Sequence, residues 1–186
     1  MAVEPFLAAL REALGDRHVL TDPDVTAGQA RDWTGRWQGA TPAVVRPGST
    51  VEVAAVVSAA IEHQVPLVPQ GGNTSLVAGA TPTHGEVVLD LRRLDDLAAV
   101  DGAAGQVTVG AGATLAAVQA HVRSAGLMLP VDLSARDSAT IGGMVATNAG
   151  GTQVIRYGPM RRHVLGLTAV LGTGAVIPVN PHGLLK

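Results

Sequence analysis

Two glycine-rich strings have residue types and spacing from which a binding site could be built. The first is Gln70-Gly71-Gly72-Asn73-Thr74-Ser75, which directly follows the short apolar run at residues 66–69. Paired glycines let successive backbone N–H groups point inward with no side chain in the way, and such a concave run binds anions. The hydroxyls of Thr74 and Ser75 could add two more donors. No lysine follows the glycines, so the string is not a P-loop. A diphosphate held by neutral donors suits it better than a reacting triphosphate. A plain tight turn between two strands would account for the same residues equally well.

The second string runs from Ser138 through Thr140-Ile141-Gly142-Gly143 to Thr147-Asn148-Ala149-Gly150-Gly151. Thr140 can cap a helix whose first turn holds Gly142 and Gly143, exposing N-terminal amides to an anion. Asn148 offers both a donor and an acceptor, which suits an imide-like ring edge such as a flavin pyrimidine. The bland alternative is a helix packed closely on a strand through its glycines. Two such strings in one chain favour a binding role.

A third string, Gly110-Ala111-Gly112, precedes a helix and looks like a dinucleotide fingerprint, but its last position is Leu115 rather than glycine. It is expected to be a strand-to-helix turn. The six histidines show no metal-ligand spacing, and no Gly-x-Ser-x-Gly elbow or Ser/His/Asp set is present. His121 falls inside a helix and is expected to be structural. Arg156, Arg161, Arg162 and His163 form a basic segment beside the second string, expected as a solvated loop. An interface or a nearby acidic substrate is the sharper reading. No residue stands out as a catalytic acid or base.

The elements that must position these strings follow from periodicity. Residues 3–14 have helical apolar spacing that stops at Gly15, and residues 21–41 read as loop. Residues 42–46 read as a strand. A helix capped at Ser49 or Thr50, with Glu52 in capping-box position, then runs to about His63. Val53, Val56, Val57, Ala60 and Ile61 are expected on its inner face. Residues 66–69 give a second strand, so the first glycine loop sits at a strand's carboxyl end, where ligands gather in open α/β sheets. Further on, the pattern predicts a strand at 86–91 and a hairpin at 98–101 and 106–110. A helix from Thr114 is closed by Gly126. Two strands at 164–177 flank Gly172-Thr173-Gly174. The organisation expected is a lead-in of residues 1–40, a first lobe of 41–95 and a second of 96–186.

Composition bounds the rest. The 186 residues suit one domain or two closely joined lobes. A formal charge of −2 and dispersed basic residues give no nucleic-acid or membrane-surface signature. The absence of cysteine rules out disulfides and thiolate metal sites. No stretch has the length of a membrane span, and the N-terminus lacks a signal-peptide layout. A soluble cytoplasmic protein is expected, with homo-oligomerisation left open.

Taken in order, several strings resemble the FAD-linked oxidases of the vanillyl-alcohol-oxidase type. They are Val44-Val45-Arg46-Pro47-Gly48-Ser49-Thr50, Pro69-Gln70-Gly71-Gly72-Asn73-Thr74-Ser75, Thr140-Ile141-Gly142-Gly143 with Thr147-Asn148-Ala149-Gly150-Gly151, and Tyr157-Gly158. Asp32-Trp33-Thr34-Gly35 and Pro130-Val131-Asp132 are similar to the D-2-hydroxyacid dehydrogenase branch, whose members oxidise D-lactate, glycolate or D-2-hydroxyglutarate. The resemblance implies an α+β, PCMH-type FAD-binding fold, with a small βαβ lobe followed by a larger mixed-sheet lobe. It implies that Gln70, Gly71, Gly72, Asn73, Thr74 and Ser75 wrap the FAD pyrophosphate, and that Ser138, Thr140, Gly142 and Gly143 continue the cradle. It places Thr147, Asn148, Ala149 and Gly150 near the isoalloxazine ring, and counts Pro130 and Asp132 with the cofactor set. No histidine in the first loop is available for a tether, so FAD is expected to be non-covalent. Relatives continue with a substrate domain, so the chain is expected to be the N-terminal part of an enzyme that meets its 2-hydroxyacid through that domain. Two other readings stay open: a non-catalytic FAD- or nucleotide-binding subunit, and a diphosphate-binding protein without redox function.

Overall fold

The computed structural model describes residues 3–179; His182 and the chain end at 183–186 lie outside them. Helix α1 (Val3–Leu14) turns Phe6, Leu7, Leu10 and Leu14 to one side, where all four are buried. That spacing is a helix face, and each such side chain contributes about 1.5–3 kcal/mol on burial. Gly15, at φ 86°, ends the helix in a conformation that suits glycine. A single 3₁₀ turn leads into β1 (Val19–Leu20).

The segment expected as loop at 21–41 contains a helix, α2 (Pro23–Gln29). The Asp22 carboxylate caps it by accepting from the Asp24 and Val25 amides, and Pro23 stands at its first position. None of its residues is buried, so it has no apolar stripe for a periodicity argument to find. Asp22-Pro23 was the local signal.

Strand β2 (Val44–Val45) leads to α3 (Thr50–Glu62), capped by the Ser49 hydroxyl, which accepts from the Glu52 amide. The Glu52 carboxylate reaches back one residue further than a capping box does, to the Gly48 amide at 2.6 Å. Val53, Val56 and Ala60 are buried, as expected, but Ile61 is 52% exposed. A residue next in sequence to Ala60 is rotated about 100° around the helix, which turns Ile61 outward. Strands β3 (Leu67–Gln70) and β4 (Val87–Asp90) complete a sheet of order β1-β2-β4-β3. β2, β4 and β3 run parallel, and β1 pairs antiparallel to β2. β4 is inserted between the two strands of the βαβ unit, so Gln70 and Asp90 lie side by side at the carboxyl edge.

The expected hairpin is present only as the isolated bridges Leu97↔Val109 and Asp101↔Gln106. Helix α4 (Leu115–Ser124) is capped by Thr114, with Gly126 at φ 74° beyond its end. Helices α5 (Ile141–Thr147) and α6 (Val154–Tyr157) follow, then the antiparallel strands β5 (Leu167–Val170) and β6 (Val176–Val179). Leu115, Val118, Val131, Ile141 and Met144 belong to a second core. The β5–β6 hairpin returns to the first: Val170 packs on that core, and the Gly174 turn lies against Ser58 of α3. Gly110 and Gly112 close the seam between the halves, because any side chain there would run into the carbonyls of Leu94 and Leu91. The strand-to-helix turn expected at Gly110-Ala111-Gly112 therefore also serves as a backbone contact. No helix of the described residues is long and apolar enough to cross a membrane.

Candidate cofactor site: two glycine loops in contact

The first glycine loop leaves the carboxyl end of β3 with its first residue anchored. Gln70 is 1% exposed and donates through Nε2 to the carbonyls of Gln29 and Ala80. Its side chain therefore fixes the base of the loop from inside. Asn73 is likewise engaged: at φ 50° it donates through Nδ2 to the Arg31 carbonyl at 2.8 Å. Asparagine tolerates this left-handed conformation better than most residues. The Ser75 hydroxyl accepts from the Val77 amide.

The backbone between these anchors is free. Among the described residues, none of the five amides from Gly71 to Ser75 donates to a protein acceptor. Backbone donors in a well-ordered turn are normally paired. Five consecutive N–H groups without a protein acceptor, beside the Thr74 hydroxyl, are uncharged donors of the kind an anion with several oxygens can use.

The second string meets this loop directly. A side chain at Gly72 would overlap the Ser138 carbonyl, and one at Gly71 would overlap the Thr140 hydroxyl oxygen. The glycines thus bring 71–72 against 138–140, joining the two strings the sequence singled out. Thr140 is buried and caps α5 by accepting from the Gly143 amide at 3.3 Å. The expected donor role of the α5 amides is corrected, however. The Ile141 amide donates to Ala113, Gly142 to Ala111 at 2.7 Å, and Gly143 to Thr140. Gly142 permits close packing, since a Cβ there would lie 2.8 Å from that of Ala111.

Helix α5 carries the chain about 10 Å from that contact, at 1.5 Å per residue. Asn148 ends it in the left-handed conformation and accepts the Arg161 amide on Oδ1 at 3.0 Å. Thr147 donates back to the Gly143 carbonyl. These side chains hold the corner at 148–151, and among the described residues the amides of Gly150 and Gly151 have no protein acceptor. Asp132 joins this corner: its carbonyl accepts the Thr152 amide at 2.8 Å, and Gly151 is packed against its backbone. Asp132 Oδ2 pairs with Arg136 at 3.3 Å, while its buried Oδ1 has no partner. Pro130, two residues before, is half-buried beside it, as is Ala149. Of the sequence-derived set, then, residues 70–75, 138, 140, 142 and 143 form one contiguous group. Residues 130, 132 and 147–150 form a second at the far end of α5.

Two features next to the glycine loop were not anticipated from the sequence. The loop 31–38 brackets the glycine loop through the Asn73–Arg31 bond. It is organised by Asp32, 3% exposed, whose carboxylate accepts from the Thr34 amide and hydroxyl and from the Trp37 amide. Burial disfavours the charge on Asp32, but the hydrogen bonds from Thr34 and Trp37 outweigh it and hold the carboxyl below its ordinary value. The Asp32-x-Thr34 spacing was the available signal, since aspartate commonly binds the backbone two residues on. The second feature is an ion triad of Arg46, Asp90 and Arg92 at the sheet edge. Hydrogen bonding to Asp90 raises the Arg92 pKa further.

Similarity to known proteins bears on the family and the fold. A family model described as an FAD binding domain matches residues 41–180. A D-2-hydroxyglutarate dehydrogenase of Xanthomonas citri pv. viticola is 44% identical over 98% of this chain, which spans 39% of that relative's length. The mitochondrial D-2-hydroxyglutarate dehydrogenase of Bos taurus is 38% identical over 94% of the chain, which spans 32% of it. Among solved structures, an alkyldihydroxyacetonephosphate synthase superposes with a TM-score of 0.85 at 21% identity, over 96% of this chain and 38% of that one. A p-cresol methylhydroxylase does so at 0.79 and 22%, over 95% and 35%. At such identities these two show the fold alone. The chain thus belongs to the FAD-binding domain family and has the α+β, PCMH-type FAD-binding fold.

Proposed function

We propose that this chain is the cofactor-holding part of a flavin-dependent oxidoreductase that converts a D-2-hydroxyacid to the 2-oxoacid. The observation that carries the reading is the free run of amides at 71–75, closed on one side by Ser138 and Thr140. These groups would hold the FAD pyrophosphate by hydrogen bonds alone. The corner formed by Asp132 and residues 148–151 would lie toward the ring, with the Gly150 and Gly151 amides as donors. Bound FAD would accept a hydride from the substrate carbon bearing the hydroxyl. The protein's part is to bind and orient. None of its described residues is assigned a proton-transfer role. The substrate class rests on the 44% and 38% identical dehydrogenases. D-2-hydroxyglutarate is favoured over D-lactate for that reason, although a putative D-lactate dehydrogenase of Schizosaccharomyces pombe is also 34% identical. Nothing in the first loop could tether flavin, so non-covalent binding is part of the proposal.

The test is to purify the chain, add FAD, and record flavin absorbance, followed by denaturation and filtration. A bound flavin released intact on denaturation supports the reading. A colourless protein that takes up no FAD refutes the cofactor assignment, and flavin retained after denaturation refutes the non-covalent one. Turnover of D-2-hydroxyglutarate, D-lactate and glycolate, measured with an artificial acceptor in the longest natural form of the protein, tests the substrate class.

A further inference from the structure

We propose that a cavity under α2, separate from the flavin cradle, binds a small organic carboxylate. The cavity has a volume of about 380 Å³. That is near the lower end of the roughly 300–1,000 Å³ typical of small-molecule pockets. Leu20 and Val44 line it from the sheet, and Val25 and Gln29 line it from α2. Arg46, Asp90 and Arg92 line it from the carboxyl edge of β2 and β4.

The charge at that edge is unbalanced. Asp90 is 1% exposed and takes a bidentate grip from Arg92, Nε to Oδ1 at 2.9 Å and Nη2 to Oδ2 at 2.8 Å. Arg46 Nε lies 3.3 Å from Asp90 Oδ2. Two guanidinium groups thus face one carboxylate, a net charge of about +1 on a partly dehydrated wall. Among the described residues, Arg92 Nη1 and both terminal nitrogens of Arg46 have no protein acceptor. Their side chains are 44% and 35% exposed, so the donors are reachable.

Planar guanidinium groups recognise carboxylates through paired N–H donors, and do so better where water is scarce. The aliphatic wall of Leu20, Val25 and Val44 then selects an anion with a short hydrocarbon stem over a bare inorganic one. The cavity also abuts the flavin cradle. Gln29, in its wall, accepts the hydrogen bond that anchors Gln70, and the Gln70 Oε1 on the same sheet edge is buried without a donor. The proposal does not depend on which substrate the enzyme oxidises or on whether this chain retains FAD.

The experiment is a methyl and amide NMR titration of the full chain, with propionate as probe and inorganic phosphate in a parallel arm. Expected are saturable shifts of the Leu20, Val25 and Val44 methyls and of the Gln70 side-chain amide with propionate, and none at the methyls with phosphate. Arg92→Met should weaken propionate by about tenfold or more, the loss expected for charge-assisted hydrogen bonds. Because Arg92 also holds Asp90, Val25→Trp serves as the second variant. It plugs the cavity from an exposed helix, and should abolish propionate binding while the melting temperature is retained. Equal responses to phosphate and propionate with silent methyls would overturn the proposal. So would undiminished binding in Val25→Trp.

Discussion

The contact between the two glycine loops can be tested by a single methyl group. In Gly72→Ala, the new Cβ would overlap the Ser138 carbonyl oxygen and lie 2.6 Å from its carbon and 3.2 Å from the Ala139 nitrogen. Comfortable carbon contacts begin near 3.5 Å, so the loops must part by about 1 Å. The obstructing atoms are backbone on both sides, and no side chain can rotate away. Overpacking of this kind costs about 1–3 kcal/mol. Gly79→Ala is the matched control: Gly79 has no positive φ and no atom within 4 Å of an added Cβ. Both substitutions restrict the unfolded chain equally, a gain of about 0.4–1 kcal/mol that the comparison cancels. Urea unfolding should therefore place Gly72→Ala about 1–3 kcal/mol below Gly79→Ala. A 1 Å parting also breaks hydrogen bonds that need donor–acceptor distances near 2.9 Å. If the same energy falls on the cradle, FAD affinity in a flavin-fluorescence titration drops by about 5- to 150-fold, while Gly79→Ala binds as the parent does. Equal stability and equal FAD affinity for the two variants would refute the closed seam.

Three further outcomes follow from the same geometry. Asp32 has its folded pKa held below the ordinary value, so its contribution to stability is present above the ordinary carboxylate range and is lost as pH falls below about 4. Trp33 and Trp37, the chain's two tryptophans, sit in the loop Asp32 organises. Their fluorescence should shift in that acid window, and Asp32→Asn should show the loosened-loop signal at neutral pH; unchanged emission in both cases would contradict this. Thr140→Val removes the α5 cap and should lower stability by about 1 kcal/mol in chemical denaturation, with Thr140→Ser restoring most of it. Gln70→Leu leaves the half-buried Gln29 and Ala80 carbonyls without this donor, at a cost of up to about 1–3 kcal/mol each. Parent-like stability of that variant would remove Gln70 from its anchoring role.

Much of the local structure was written in short range signals. The α3 and α4 caps at Ser49 and Thr114, the Thr140 cap of α5 and the closing Gly126 are each decided by a hydroxyl or a missing Cβ acting within one turn. Such interactions do not depend on the rest of the fold. α2 escaped notice because its local signals are a cap and a proline at its first position, while none of its residues is buried to give a stripe. Ile61 was turned the wrong way because apolar identity was read without strict angular position.

The sequence by itself determined the family. The ordered motifs specify the FAD-binding domain family to which the chain belongs, and paired glycines followed by no lysine exclude a P-loop. Tertiary structure decided which groups remain free to use. The Gly142 and Gly143 amides and the side-chain amides of Gln70 and Asn73 resemble ligand donors when read in line, yet the fold engages each with a protein partner, as it does the Asn148 Oδ1 acceptor. The amides of 71–75 are left open. The physical reason is that a hydrogen-bonding group binds a ligand only if no closer partner has claimed it. Apart from Thr140, the local cap that claims the Gly143 amide, those partners, Ala111, Gln29, Arg31 and Arg161, are brought in by chain packing that no local pattern encodes.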